Sequence, residues 1–223
     1  VFGVFSGEMT PGGGMAVVRK EGADFILYSL EDGPFDIATM QNYMRGMMDV
    51  AGADALERHP VVLRVPPIGD AVDEARAHVA EALAAGVKGI VFPHVQTAEE
   101  AALSVEMLSD AWPARPDGEL INVLIIEDQA GIANARAIMS TPGLSVVFAG
   151  PGDLRRAYDG DMEAVENAIQ TVLAACREFD VACGVTAGVD DVAARIEQGF
   201  QVIIVLEDEA LPLGREAAGR GAP

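Results

Sequence analysis

Positive charge is scarce in this chain. Of its 223 residues, 15 are Lys or Arg and 35 are Asp or Glu, which leaves a net charge of −20. A surface of that sign repels phosphate backbones and anionic headgroups over a Debye length, so no nucleic acid and no membrane surface is expected as a partner. The acidity itself reads as a solvated surface and names no substrate, because a local basic or metal-bearing cleft still attracts an anion. Cysteine is also scarce. Cys176 and Cys183, in AACREFDVACG, have the spacing of neither a zinc ribbon nor a secreted disulfide framework and read as buried, reduced thiols. Long apolar runs are missing: half the residues are hydrophobic, yet no run reaches the roughly 18–20 residues that span a bilayer. No charged-then-apolar leader precedes the first strand-like segment, and the expectation is a soluble, cytoplasmic protein.

A Gly-rich dinucleotide turn is absent as well: no G-x-G-x-x-G follows any strand-like segment, which weighs against an open doubly wound sheet. Gly12–Gly14 lacks the Lys and Ser/Thr of a phosphate loop, and Pro11 beside it marks a turn entering a helix. What the chain does have is alternation. Short apolar runs at Phe2–Ser6, Phe25–Ser29, Val61–Val65, Gly89–Phe92, Asn122–Ile126, Ser145–Ala149, Val181–Val185 and Val202–Val205 are separated by Ala-rich amphipathic segments such as Ala71–Ala85 and Met162–Phe179. Buried parallel strands joined by crossover helices give this pattern, and eight of them point to a (β/α)8 TIM barrel in a single domain over residues 1–223.

In such a barrel the reactive side chains stand just after the strands, at the carboxyl face. Glu127 and Asp153 end neighbouring strands and can converge on one hard cation, Mg²⁺ or Mn²⁺ with Co²⁺ as a further option. The competing account is that each acid caps the helix that follows. Arg64 ends an apolar strand, where a guanidinium needs a partner; its planar donors suit an oxo-acid edge, and a salt bridge inside the barrel mouth is the alternative. The turn Gly150-Pro151-Gly152-Asp153 offers backbone N–H groups to a carboxylate. Of the three histidines, His94 alone follows a strand; it is either an acid–base group or a satisfied loop imidazole. His59 begins a strand and His78 lies mid-helix, and both read as structural or exposed.

FPHVQTAEEA, LIIEDQAGIANARAIM and VFAGPGDL, in this order, resemble the HpcH/HpaI aldolase and citrate lyase family, with the likeness running from Phe2 to about Val205. The resemblance implies that Glu127 and Asp153 bind a divalent metal, that Arg64 holds a small 2-oxo acid and stabilises its enolate, and that Gly152 and Asp153 receive the substrate carboxylate. It implies a metal-dependent carbon–carbon lyase acting on a 2-oxo or 4-hydroxy-2-oxo acid. It also implies a homo-oligomer, commonly a hexamer, with the C-terminal segment packed on a neighbour.

Three positions depart from the family pattern. Where that pattern has a His immediately after a Glu, this chain has Asp32, in LEDGPFD. An acid three residues before that His is Ser29 here, and an orienting Asp from the following helix is Ala84. The usual proton relay is therefore replaced as a unit. Asp32 could serve as base if burial raised its pKa, and His94 is the other candidate. A decarboxylase, a tautomerase, an acyl-CoA lyase or thioesterase, or a non-catalytic oxo-acid-binding subunit are the alternatives. Between Leu108 and Glu119 the chain is also shorter than the family's active-site loop.

Overall fold

The computed structural model describes residues 1–69, 71–111 and 120–221; most of the short segment between Leu108 and Glu119 lies outside the described residues. Eight parallel strands close a barrel in chain order: β1 (Phe2–Phe5), β2 (Phe25–Ser29), β3 (Val61–Arg64), β4 (Gly89–Phe92), β5 (Ile121–Ile126), β6 (Val146–Ala149), β7 (Ala182–Ala187) and β8 (Val202–Val205). β8 pairs back on β1, with Gly3 opposite Ile204. This is the (β/α)8 barrel that the alternation implies; β2, β4 and β8 have the expected bounds and the other strand ends differ by at most two residues.

Each strand is buried on both faces, which is why it reads as an unbroken apolar run. Leu27, Val62, Val91, Val123, Ile125, Val146, Phe148 and Ile204 face the barrel axis and form their own cluster. Their neighbours Ile26, Tyr28, Leu63, Ile90, Leu124 and Val147 face outward into the helical layer. The interior is filled from its own walls: the rings of Phe25 and Phe148 lie where Cβ atoms on Gly3 and Gly184 would sit, at 2.2 and 2.1 Å. An apolar cavity of about 130 Å³ remains among these side chains.

The outer ring begins with α1 (Pro11–Val17), α2 (Ile37–Ala51), α3 (Ala55–Arg58), α4 (Val72–Ala84) and α5 (Ala98–Ala111). It continues with α6 (Gln129–Ala133), α7 (Ala135–Met139), α8 (Pro151–Ala157), α9 (Met162–Phe179), α10 (Val192–Glu197) and α11 (Ala210–Ala217). Among the described residues no helix is long and apolar enough to cross a membrane. The longest, α9, starts where Asp161 accepts hydrogen bonds from the N–H groups of Glu163 and Ala164, both at 3.1 Å. It buries Val165, Ile169, Val172 and Cys176 along one stripe and ends at Asp180 in the left-handed conformation, φ 55°. The T-A-E-E sequence opening α5 is a reciprocal cap. Thr97 Oγ1 accepts from the Glu100 N–H at 3.1 Å, and the Glu100 carboxylate accepts from the Thr97 N–H at 3.1 Å.

The Gly12–Gly14 run is structural: Thr10 caps α1 by accepting from the Gly13 N–H at 3.1 Å, with Pro11 in the first turn. Its glycines let α1 lie directly on α2. A Cβ on Gly14 would sit 2.1 Å from the Tyr43 carbonyl oxygen, and one on Gly46 would sit 2.1 Å from that of Pro11. Ala is favoured over Gly in a helix by about 1 kcal/mol, but here the obstacle is backbone, which cannot rotate away. Gly46→Ala is therefore expected to destabilise the protein by about 1–3 kcal/mol, the usual range for overpacking. Urea denaturation measures this, and an unchanged or raised midpoint would show that the two helices are free to separate.

Candidate active site

The two-residue alternation of the strands continues into their carboxyl ends. Leu27 and Val62 face the axis, so Ser29 and Arg64, two residues further on and opposite each other in register, face it at the mouth. By the same count Ile125 is followed by Glu127, and Phe148 by Gly150. A guanidinium at the end of an apolar strand must be paired, and Arg64 is. Its Nε donates to Ser29 Oγ at 3.0 Å, and its Nη2 lies 2.9 Å from Glu31 Oε2. Glu31 is the site residue that sequence did not single out; there it is merely the residue before Asp32. The signal was the same count, since Glu31 is two residues past Ser29.

Among the described residues Glu127 has the most deeply placed carboxyl group, with a side chain only 3% exposed. Its Oε1 accepts the backbone N–H of His94 at 3.0 Å. On its other side lies Gly150, where a Cβ would stand 2.5 Å from Glu127 Oε2, so the carboxylate occupies the space that a side chain at 150 would need. His94 itself has φ 53°, a left-handed conformation that is uncommon for a non-glycine residue and concentrates at functional sites. Its imidazole lies between two acids, Nδ1 3.7 Å from Glu127 Oε1 and Nε2 3.6 Å from Glu31 Oε1.

The neighbouring acids divide their roles. Asp128 caps α6, accepting from the Gly131 N–H at 2.8 Å and from Gln96 Nε2 at 2.8 Å, so of this adjacent pair the helix cap is Asp128 and not Glu127. Asp153, in the first turn of α8, pairs with Arg156 and is near enough for its charge to act on Glu127. Gly152 beside it opens onto free space, with nothing within 4 Å of the Cβ position. Asp32 is exposed and adds its charge to the field at Glu31; the burial that a base role for it called for is absent from this chain. Arg64, His94 and Glu127 thus meet around Glu31, while Asp153 is paired with Arg156 outside the donor group of Glu31, His94 and Glu127 and Asp32 stands at the rim.

The electrostatics of this cluster are unbalanced. Burial pushes the Glu127 carboxyl up to about 8; the charges of Asp153 and Glu31 push the same way, and the His94 amide opposes them. Glu31 is raised chiefly by burial, against the pull of Arg64 and His94, and its Oε1 is buried without a hydrogen-bond partner. Glu31, His94 and Glu127 can each offer a donor atom within 4.8 Å of the others. Oxygen-rich donors, an orphaned buried oxygen and repulsion among carboxylates are what a hard divalent cation would relieve, so the residues fit such an ion.

The family model for HpcH/HpaI aldolase/citrate lyase matches residues 10–207. The chain belongs to this family. Among its relatives is a hydroxypyruvate/pyruvate aldolase of Delftia acidovorans, 26% identical over all of this chain and 92% of that protein. In fold it resembles an HpcH/HpaI family protein of Burkholderia cenocepacia, with a TM-score of 0.78 at 23% identity over 98% of this chain and 93% of the other. It also resembles the citrate lyase beta subunit of M. tuberculosis complexed with oxaloacetate and magnesium, with a TM-score of 0.67 at 19% identity over 97% of this chain and 95% of that one. Membership makes the protein an enzyme of the aldolase and lyase kind.

The raised Glu127 carboxyl has a consequence for stability. An ordinary Glu in the unfolded chain titrates near about 4.3, so the folded protein holds this proton more tightly than the unfolded one. The stabilisation is complete below that pH and is lost as pH rises through about 8. In chelator-treated protein, the urea midpoint is expected to fall over this window, and Glu127→Gln should flatten the fall and raise the midpoint near pH 8. If Glu127→Gln kept the wild-type slope, the proton would have to reside elsewhere.

Proposed function

We propose that this protein is a divalent-metal-dependent carbon–carbon lyase that cleaves a small 4-hydroxy-2-oxo acid to release pyruvate or a close relative. The observation that carries this reading is the convergence of Glu31, His94, Glu127 and Arg64 at the barrel mouth in a chain of this family. Glu127 and Asp153 would hold the cation, Mg²⁺ or Mn²⁺, with Glu31 completing the donor set. A relative by fold is complexed with oxaloacetate and magnesium, which supports an oxo acid and a hard cation at the same mouth. The cation's part is to draw electron density from the oxo acid as the C–C bond breaks.

The chain's own residues supply binding, orientation and proton handling. Arg64, held in plane by Ser29 and Glu31, turns fixed donors toward the developing enolate oxygen, where a preorganised charge acts most strongly. The N–H groups of Gly152 and Asp153, in the first turn of α8, have no carbonyl of their own helix in reach and face open space at Gly152, so they suit the substrate carboxylate. His94, between Glu31 and Glu127, takes the proton of the substrate hydroxyl. The enolate carbon takes up a proton in turn, so that none is lost overall as the methyl group of pyruvate forms, and Asp32 at the rim is the group through which His94 exchanges protons with solvent.

The second reading keeps the site and changes the reaction to decarboxylation, tautomerisation or acyl-CoA cleavage. It is favoured by Asp32 standing where the family pattern has a His. One assay separates them: release of pyruvate from a panel of 4-hydroxy-2-oxo acids with Mg²⁺, Mn²⁺ or Co²⁺, and again with chelator. Metal-dependent release is expected, lowered by at least about 10³-fold in Glu127→Ala, and more strongly impaired in His94→Asn than in Asp32→Asn. Oxaloacetate decarboxylation without release from any aldol substrate would favour the second reading.

A further inference from the structure

Beside the carboxylate cluster, the loop after β2 and the first turns of α4 enclose another cavity, of about 350 Å³. Glu31 lines its inner end, Phe35, Pro66 and Pro67 give it apolar walls, and Glu74 and His78 stand on α4. Glu31 is shared with the active site, so this cavity borders it at that residue. His78, which in sequence reads as a mid-helix histidine with a structural or exposed role, lies flat on Phe35 with ring centroids 3.8 Å apart and planes at 20°. The stack fixes the ring plane, and with it the directions of both nitrogens. Nε2 lies 3.8 Å from Glu74 Oε1, beyond hydrogen-bond range.

We propose that this cavity is the subsite for the aldehyde-derived fragment beyond the scissile bond, and that His78 and Glu74 together recognise a hydroxyl group on it. The inference rests on the lyase reading above. A hydroxyl is donor and acceptor at once, so it can bridge an imidazole and a carboxylate that do not bond to each other. The volume is near the lower end for ligand sites, roughly 300–1,000 Å³, which suits a fragment of a few carbons. Glu74 lines the cavity along with these groups and would repel a phosphorylated or carboxylated fragment, whereas Glu31 is already engaged by Arg64. The class of substrate is therefore a 4-hydroxy-2-oxo acid whose aldehyde half is short, neutral and hydroxylated.

Two measurements test this and keep it distinct from the lyase reading. The first is metal-dependent deuterium exchange at the methyl group of pyruvate in D₂O, followed by NMR on the wild-type protein; it needs the oxo-acid site alone. The second is the ratio of kcat/KM for glycolaldehyde over propanal in condensation with pyruvate. Wild type is expected to favour glycolaldehyde by about tenfold or more, as one hydrogen bond to a charged group allows. His78→Phe keeps the aromatic stack but should bring the ratio near one, mainly through KM, and His78→Gln should restore most of it. Glu74→Gln, at a side chain 70% exposed, should lower the ratio as well and guards against misfolding of the His78 variants. Exchange with an unchanged ratio in Glu74→Gln and His78→Phe would overturn the subsite and leave the lyase standing. Absence of exchange would overturn the lyase reading, and the subsite would fall with it.

Discussion

A carboxylate 3% exposed at the mouth of an apolar barrel is costly unless its surroundings are arranged around it, and much of the local structure is arranged around Glu127. Position 150 is glycine because the carboxylate fills the volume of a side chain there. His94 adopts a left-handed backbone whose N–H reaches Glu127 Oε1. Asp128 turns away to cap α6, so two adjacent acids serve opposite faces of one strand end. Arg64 brings a permanent positive charge to this inner face, and Glu31 has already engaged it. The protein thus gathers acids beyond its fixed cations at this mouth of the barrel, which holds the Glu127 proton up to about pH 8 and gives residues that fit a cation.

The barrel was legible because its physics is repetitive. Strands buried on both faces appear as apolar runs wherever they occur in the chain, and Phe25–Ser29 and Gly89–Phe92 match the expected bounds to the residue. The polar residues that interrupt such runs, Arg64 and Glu127, were legible for the same reason: each is an expense that demands a role. Glu31 was not, because it sits in a loop already rich in acids, where charge is ordinarily solvated. Only the count of two from an inward-facing Ser29 distinguishes it from Asp32 next to it. His78 was illegible for a different reason. Helical period tells which residues share a face, and it says nothing of the loop residue, here Phe35, that the fold lays against that face.

The outer layer shows how a chain low in aromatics still achieves dense packing. Where α1 meets α2, close approach comes from glycine, with Gly14 against Tyr43 and Gly46 against Pro11. Tyr43 then spends its hydroxyl on the Ser6 carbonyl at 2.9 Å and sets its ring edge-on to Tyr28, with centroids 5.1 Å apart. These contacts tie α2 to the carboxyl ends of β1 and β2. The loop that carries Glu31 and Asp32 is therefore anchored on the α2 side by helix packing and on the other by the Arg64 ion pair. A site built on such supports keeps its geometry without help from the loop's own sequence.

The seam of the barrel carries one more implication, for the order in which the molecule is made. The Val1 nitrogen donates to the Gln201 carbonyl at 2.8 Å across 200 positions of sequence, and the Ile203 N–H returns a bond to Val1 at 2.9 Å. Lys20 reaches Asp208, and Arg220 reaches Asp24, across the same join. These are contacts of very high sequence separation, and the entropy of bringing such distant segments together must be met before they give anything back. During synthesis the first strand emerges with only one of its two eventual neighbours to follow it soon, and its other edge waits unpaired for β8. The barrel is thus a ring whose clasp is its last-made part, and the nascent sheet carries an open edge from β1 until β8 has been made.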